Sequence, residues 1–340
     1  MKPFKTIDEQ IEILKNRHLK FINEEAAKSN LISYGYYEIV NGYKDYLLIS
    51  SNPDIFKDGS TFEHLFSLYT MDKGFQEAVV NAALEFELIL KSAMSYVIAE
   101  TYSSDQNKYL IKSNYKTGKV RQNKDGTKYF EIDSTFIKFN KIINDEIEPF
   151  KHYRLVHQNT PPWILFKGAT LGNMMHFFKL QKRDVKDKVI SIVFDIPLEI
   201  IKTDKDNTIR NLFSDLLSLA FKFRNRSAHS GRIYNYKAEN TSVRYNQILH
   251  GRMNIDEALY RNGFGMNDLY TLLCGFTFLK NRLISVKFSV NLQYALNKHL
   301  ELYPEDTVDL IECIGYPNYN SEDSADSIFN KIFFNKNNYW

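Results

Sequence analysis

The sequence predicts an all-α protein on three observations. Glycine and proline are scarce, 14 and 8 among 340 residues, too few for a turn-dense sandwich or barrel. Apolar residues make up 44% of the chain and recur in several segments at helical rather than alternating spacing. Phe (25) and Tyr (22) supply apolar surface that offsets the entropy of folding, which excludes a disordered chain. The length allows one to three domains.

Element by element, the first helix opens at Thr6-Ile-Asp-Glu9, a capping-box spacing, and continues with Ile7, Ile11 and Leu14 on one face. A short helix at about 23–31 leads into the aromatic stretch Tyr34–Tyr43, and Ser51-Asn-Pro-Asp54 reads as a turn. From Thr61 a short helix precedes a long amphipathic one at about 72–101, which carries Phe75, Val79, Phe86, Leu90 and Val97. The turn signals Thr117-Gly118 and Asp125-Gly126 frame a small β-hairpin at 113–131. Five cations, Lys116, Lys119, Arg121, Lys124 and Lys128, sit on it. Helices follow at about 133–157, 170–181, 184–193 and 206–226, with a rigid corner at Pro161-Pro162-Trp163. After a less periodic stretch at 233–262 come helices at 266–282 and 285–299, then a polar tail from about 316 that reads as loosely ordered.

Composition excludes several function classes. A net charge of +3 is too small for binding nucleic acid by bulk electrostatics, so an anionic partner must be held by a local cluster. Cys274 and Cys313 lack zinc-ribbon or redox spacing, and His152, His157 and His176 lack metal-motif spacing, so neither a metal nor another cofactor is expected. No apolar run spans a bilayer and the N-terminus has no apolar signal core, so the reading is a soluble, cytoplasmic protein without a membrane partner. Phosphate loops, nucleophile elbows and kinase motifs are absent.

What remains is a helix end. Arg224 and His229 pair a permanent cation with a side chain of the type that moves protons near neutral pH. That combination suits metal-free phosphodiester cleavage, with the guanidinium on the phosphate oxygens and the imidazole on the ribose hydroxyl or the leaving oxygen. The spacing alone does not select them, because Arg244 and His250 lie nearly as close in sequence. Context does: Arg224-Asn225-Arg226-Ser-Ala-His229-Ser-Gly-Arg232 ends a strongly amphipathic helix, and the Arg244 segment has no such frame. On an ideal helix Arg224 and His229 stand about 140° apart. Either the helix ends between them, as Ser227 and Gly231 allow, or a second protomer completes the site.

This frame resembles the Arg-Asn-x-x-x-His motif of the HEPN ribonuclease superfamily. The chain is more closely similar to the Abi-like abortive-infection family of the AbiD/AbiF type. The resemblance rests on four segments in order over about 2–236: Lys2-Pro3 through Gln10, Tyr36-Tyr37 through Gly42-Tyr43, Pro161-Pro162-Trp163 with Leu171-Gly172, and the Arg224 to Arg232 motif. It implies a HEPN-type helical bundle with an N-terminal lobe at 1–50, a core at 61–236 carrying the basic hairpin, and a C-terminal helical extension and tail at 237–340. It further implies a metal-independent endoribonuclease toxin of phage defence, acting on an RNA substrate as a homodimer and restrained by an antitoxin protein or a small RNA. Arg224, His229 and Asn225 would be catalytic. Arg226, Arg232 and the five hairpin cations are candidates for RNA contact. Glu87 and Lys91 match a Glu-x-x-x-Lys pattern of some HEPN proteins, and read equally as an ion pair on a solvated face. Ser230 stands where a second His is frequent, which leaves His229 as the acid/base candidate. The rival reading is a non-catalytic RNA-binding module that senses or sequesters a structured RNA.

Overall fold

The computed structural model describes residues 3–317. The chain is 64% helical, and its only strand pairs among the described residues are two short hairpins. The mostly helical class read from composition and periodicity is therefore correct.

Helix α1 (Ile7–Asn16) has the capping box: Thr6 Oγ1 accepts from the Glu9 amide at 3.2 Å and Glu9 Oε2 from the Thr6 amide at 2.8 Å. Asn23 caps α2 (Glu24–Tyr34), and a π-helical turn at Tyr37–Asn41 runs into α3 (Gly42–Leu47). The turn at Ser51–Asp54 joins two strands absent from the sequence reading, β1 (Leu48–Ser51) and β2 (Asp54–Phe56). Their three or four residues are too few for a periodicity, and Asp54, gripped by Arg17 at 2.8 Å and Lys44 at 2.5 Å, anchors them instead.

The break expected near residue 72 does not occur. Helix α4 (Phe62–Thr101) is continuous over 40 residues, capped by Thr61. At the expected break Asp72 and Gly74 each meet a neighbour. Asp72 is fully buried, and a Cβ on Gly74 would come within 2.7 Å of the Ala295 Cβ.

After α5 (Gln106–Tyr109) comes the expected basic hairpin, β3 (Val120–Gln122) paired with β4 (Lys128–Phe130). Gly118, at φ +74°, lies against Glu131 and Leu180, where any side chain would collide. The helix expected at 133–157 is split. Helix α6 (Glu131–Ile143) ends at Asn144, and Pro149 precedes a short α7 (Phe150–His152) that passes into a π-helical turn at Tyr153–His157. Proline restricts the residue before it and cannot donate to the turn behind. Then follow α8 (Pro162–Leu165), α9 (Leu171–Lys179), α10 (Arg183–Phe194), the unanticipated α11 (Leu198–Thr203) and α12 (Thr208–Ala228). The less periodic stretch contains two single-turn helices, α13 (Gln247–His250) and α14 (Glu257–Arg261). They precede α15 (Leu269–Phe276), α16 (Arg282–Leu300) and α17 (Thr307–Cys313). Lys2, and the polar tail from residue 318 onward, lie outside the described residues.

Helix α4 is the axis on which α8, α9, α10, α12 and α16 pack, and one continuous apolar core runs from Ile11 to Ile314. No described helix is long and apolar enough to cross a membrane.

Asp268 is a weak point in this interior. Its Oδ1 caps α15 through the Thr271 amide (2.8 Å) and hydroxyl (2.7 Å), while Oδ2 is buried without a hydrogen-bond partner. Burial pushes its pKa up to about 6, against the pull of the Thr271 bonds. The folded state thus holds a proton that the unfolded chain releases near pH 4, so this carboxyl costs stability increasingly from about pH 4 to about 6. Asp268→Asn keeps a capping oxygen and removes the titration. It is expected to raise stability at pH 8 by about 2 kcal/mol and to be neutral at pH 4, read by denaturant unfolding at both pH values.

Candidate functional site

Helix α12 buries Phe213, Leu216, Leu217, Ala220 and Phe223 against the core, and this face fixes where its last turn points. The helix stays regular to Ala228, and His229 is its C-cap at φ −102°, ψ 23°. A Schellman closure follows, with the Ser230 amide on Ser227 O at 3.0 Å and the Gly231 amide on Arg226 O at 2.9 Å. The left-handed residue is Ser230 (φ +56°), not Gly231. Gly231 instead lets the Arg226 side chain lie close over the backbone, since a Cβ there would push its Nε and Cδ aside.

Four helical steps separate Arg224 from Ala228, so Arg224 and His229 leave the helix in different directions, and no hydrogen bond joins their side chains. Asn225 stands between them. Its Oδ1 accepts from Arg224 Nη1 at 3.3 Å, and it lies one turn before His229 on the same side of the helix. With Oδ1 engaged, the amide NH2 is the end left to meet a ligand. The guanidinium has no carboxylate partner, and the exposed imidazole has no hydrogen-bond partner among the described residues.

The competing pair is spent. Arg244 makes a two-pronged ion pair with Asp215 at 2.8 and 2.9 Å. His250 is buried, with Nε2 2.9 Å from Gly265 O and Nδ1 3.1 Å from the Asn246 amide, and burial lowers its pKa. Helix context therefore separates the two pairs as their spacing could not.

The other predicted residues fall into three groups. Arg226 and Arg232 turn back on the protein: Arg226 donates from Nε to Arg232 O at 3.2 Å and lies 5.3 Å over the Tyr236 ring, and Arg232 faces Asp45 at 3.8 Å. Glu87 and Lys91 form a 2.6 Å ion pair, but a buried one, which corrects the solvated-face alternative. Glu87 Oε2 also accepts from the Leu171 amide at 2.9 Å, so the pair ties α4 to the N-terminus of α9. That end of α9 meets α12 where Gly172 packs under Phe221, one turn before Arg224. The hairpin cations Lys116, Lys119, Arg121, Lys124 and Lys128 are exposed on β3–β4 and its flanks, along α9 from this end, and Arg121 is paired with Glu131 at 2.8 Å.

Two clusters escaped the sequence reading. Asp72, buried in α4, accepts from the amides of Ile233 (3.0 Å) and Tyr234 (2.7 Å), immediately after the motif, and from the Tyr43 hydroxyl at 2.7 Å. Burial raises its pKa against these hydrogen bonds. An isolated Asp in an apolar helix was the available signal. The second cluster is His64, His299 and Asp306, whose donor atoms lie within 4.8 Å of one another and could hold a metal ion. Hydrogen bonds satisfy them without one: Asp306 Oδ2 is 2.5 Å from His64 Nε2 and 2.9 Å from His299 Nε2, and Ser67 Oγ is 2.8 Å from His299 Nδ1. A separation of more than 230 residues hides this cluster from any motif.

Fold and site together define a mostly helical protein with an Arg-Asn-His arc at the end of a core helix, free of acidic partners among the described residues. Residues 29–235, more than half of the chain, match the family model described as Abi-like protein, and the chain belongs to that family. The family associates it with abortive infection, the defence of a host population against phage. The matched span leaves out the Lys2–Gln10 segment. Neither a curated protein nor a solved structure matches the chain.

Proposed function

We propose that the protein is a metal-independent endoribonuclease of the HEPN type that acts as an abortive-infection toxin. The observation that carries this reading is a contrast between the two Arg/His pairs: among the described residues Arg224 bonds to the neighbouring Asn225 alone and the exposed His229 has no hydrogen-bond partner, whereas Arg244 is ion-paired to Asp215 and His250 is buried and hydrogen-bonded. His229 takes the proton of a ribose 2′-OH as that oxygen attacks the adjacent phosphorus, Arg224 holds the charge gathering on the phosphorane oxygens, and Asn225 donates to the same phosphate. The 5′-oxygen leaves with a proton, giving a 2′,3′-cyclic phosphate and a 5′-hydroxyl.

One imidazole cannot sit on both sides of the phosphorus, and Arg224 diverges from His229, so a second protomer supplies the other acid or base. Exposed apolar residues on α4 and α16 support this pairing. The Glu87–Leu171 bond and the Phe221–Gly172 contact at one end, and the Asp72 bonds to Ile233 and Tyr234 at the other, set the end of α12 antiparallel to α4. On that stretch α4 exposes Leu84 and Leu88, 43% and 61% accessible, and α16 adds exposed Leu283, Val286 and Val290. Apolar surface of this kind suits a second copy. An uncontrolled ribonuclease would kill its host, so an inhibitory protein or small RNA is part of the proposal.

The test is incubation of purified protein with single-stranded RNA in excess EDTA. Cleavage that persists and leaves cyclic-phosphate ends is the expected result. RNA binding that weakens steeply with salt but yields no product would favour the sequestering module.

A further inference from the structure

We propose that the cleft between the β3–β4 hairpin, α6 and α9 is a nucleotide-binding site, with the phosphate seated among Lys138, His176 and Lys179 and the base against Tyr129. The cleft has a volume of ≈ 300 Å³, the size of one small ligand rather than a shallow patch. Lys119 and Arg121 of the hairpin complete its basic wall, and Ser134 and Thr135 of α6 add hydroxyls. Its one acid, Glu131, is already spent, with Oε1 on Arg121 at 2.8 Å and Oε2 on the Lys119 amide at 3.1 Å. Lys138 and Lys179 have no ion-pair partner among the described residues.

Such a cluster is electrostatically unsatisfied. His176 and Lys179 are open to solvent at the cleft wall, yet the surrounding protein lowers both pKa values by desolvation; Lys179, Lys138 and Arg121 push His176 further down against Glu131. Lys119 acts likewise on Lys179 against Glu131 and Asp215, and the latter is held by Arg244. Behind them Lys186 is pushed down to about 8 by burial and by Lys116 and Lys179. A phosphate relieves this repulsion, whereas a cation or a neutral ligand does not.

The walls are built rather than flexible. The hairpin stem is tied down by the Lys116 amide on Leu180 O (2.8 Å), the Ile132 amide on Thr117 O (3.1 Å) and the close approach of Gly118 to Glu131 and Leu180. The charge of Asp215 reaches Lys179, so the cleft lies near the part of α12 that carries Asp215. The phosphate can belong to a free nucleotide or to a nucleotide within an RNA chain, and the site does not depend on cleavage at His229.

The experiment uses the full-length protein with three probes: inorganic phosphate, adenosine 5′-monophosphate, and a fluorescent 2′-O-methyl RNA dodecamer that cannot be cleaved by 2′-OH attack. The His176 ring resonance, assigned with His176→Gln, is expected to titrate at higher pH when the phosphate site is filled. Lys138→Ala/Lys179→Ala is expected to weaken dodecamer binding about tenfold or more and to reduce the slope of log K against log salt by about one to two, with the circular dichroism unchanged. A shift of His176 with adenosine monophosphate assigns the site to free nucleotides as well. A shift with the dodecamer alone assigns it to chain-embedded ones. No His176 shift with any probe, together with unchanged dodecamer affinity and salt slope in the double variant, overturns the proposal, whatever the cleavage assay shows.

Discussion

His229→Ala and Arg224→Ala are each expected to reduce RNA cleavage to background without lowering the melting temperature. Loss of a general acid/base costs about 10²–10⁴-fold in rate, and loss of a donor to the developing oxyanion charge about 10²–10³-fold. Stability is expected to hold within about 1 kcal/mol, because His229 is exposed and the half-buried Arg224 has a single long hydrogen bond to Asn225 and no ion pair among the described residues to lose. Arg224→Lys is expected to stay nearly as inactive as the alanine variant, since an ammonium cannot grip two phosphate oxygens in a planar fork. The same pair tests the second protomer. Mixing the inactive Arg224→Ala and His229→Ala proteins under subunit exchange is expected to restore part of the activity if the two copies share a site. Wild-type activity in either single variant would end the catalytic assignment, and a mixture that stays inactive would end the shared-site geometry. Arg244→Ala is the contrast: it leaves Asp215 without its partner, so its effect should appear in stability before activity.

Much of the helical fold was legible because amphipathic periodicity and caps are local properties. Thr6 and Glu9 close the first helix as their spacing implies, and the apolar face of α12 is buried as read. Misreadings arose where tertiary contact outweighed a local signal. The break expected near residue 72 is absent, and Gly74 beside it gives α16 room to pack on α4 through Ala295. The β1–β2 hairpin is held by ion pairs to Asp54 that bring together residues 17, 44 and 54. Arg224, Asn225 and His229 were readable because the motif is contiguous. Their support was not, since it reaches them from residues 43, 72, 87 and 171. Three of the four ordered segments behind the family resemblance thereby gain a physical meaning. Tyr43 of the second and Tyr234 beyond the fourth stack at 6.1 Å over a shared Asp72, and Gly172 of the third packs under Phe221 just before the fourth.

Asp72 is the position at which fold and site are coupled most tightly, and Asp72→Ala is expected to be the most damaging single change in stability. The substitution leaves the amides of Ile233 and Tyr234 and the hydroxyl of Tyr43 buried without an acceptor. At about 1–3 kcal/mol for each of these three unsatisfied buried groups, a loss of about 3 kcal/mol or more follows, enough to unfold a marginal domain at physiological temperature. Asp72→Asn separates hydrogen bonding from charge. Its oxygen can replace Oδ1 for both amides, and the Tyr43 hydroxyl can turn to accept from the new NH2, so most of the stability at neutral pH should remain. The sign of the pH dependence is the sharper readout. Burial raises the pKa of Asp72 in the folded state, so the native protein retains a proton that the unfolded chain gives up near pH 4. Wild-type stability from this group therefore falls as pH rises from about 4 toward that raised value, and Asp72→Asn should flatten this part of the curve. If Asp72→Asn instead loses as much stability as Asp72→Ala, the carboxylate's charge rather than its acceptor geometry holds the 232–234 turn. If both variants keep wild-type stability, Asp72 does not hold it at all. Because that turn begins only three residues after His229, the alanine variant, refolded at low temperature, should also cleave RNA poorly while retaining Arg224 and His229.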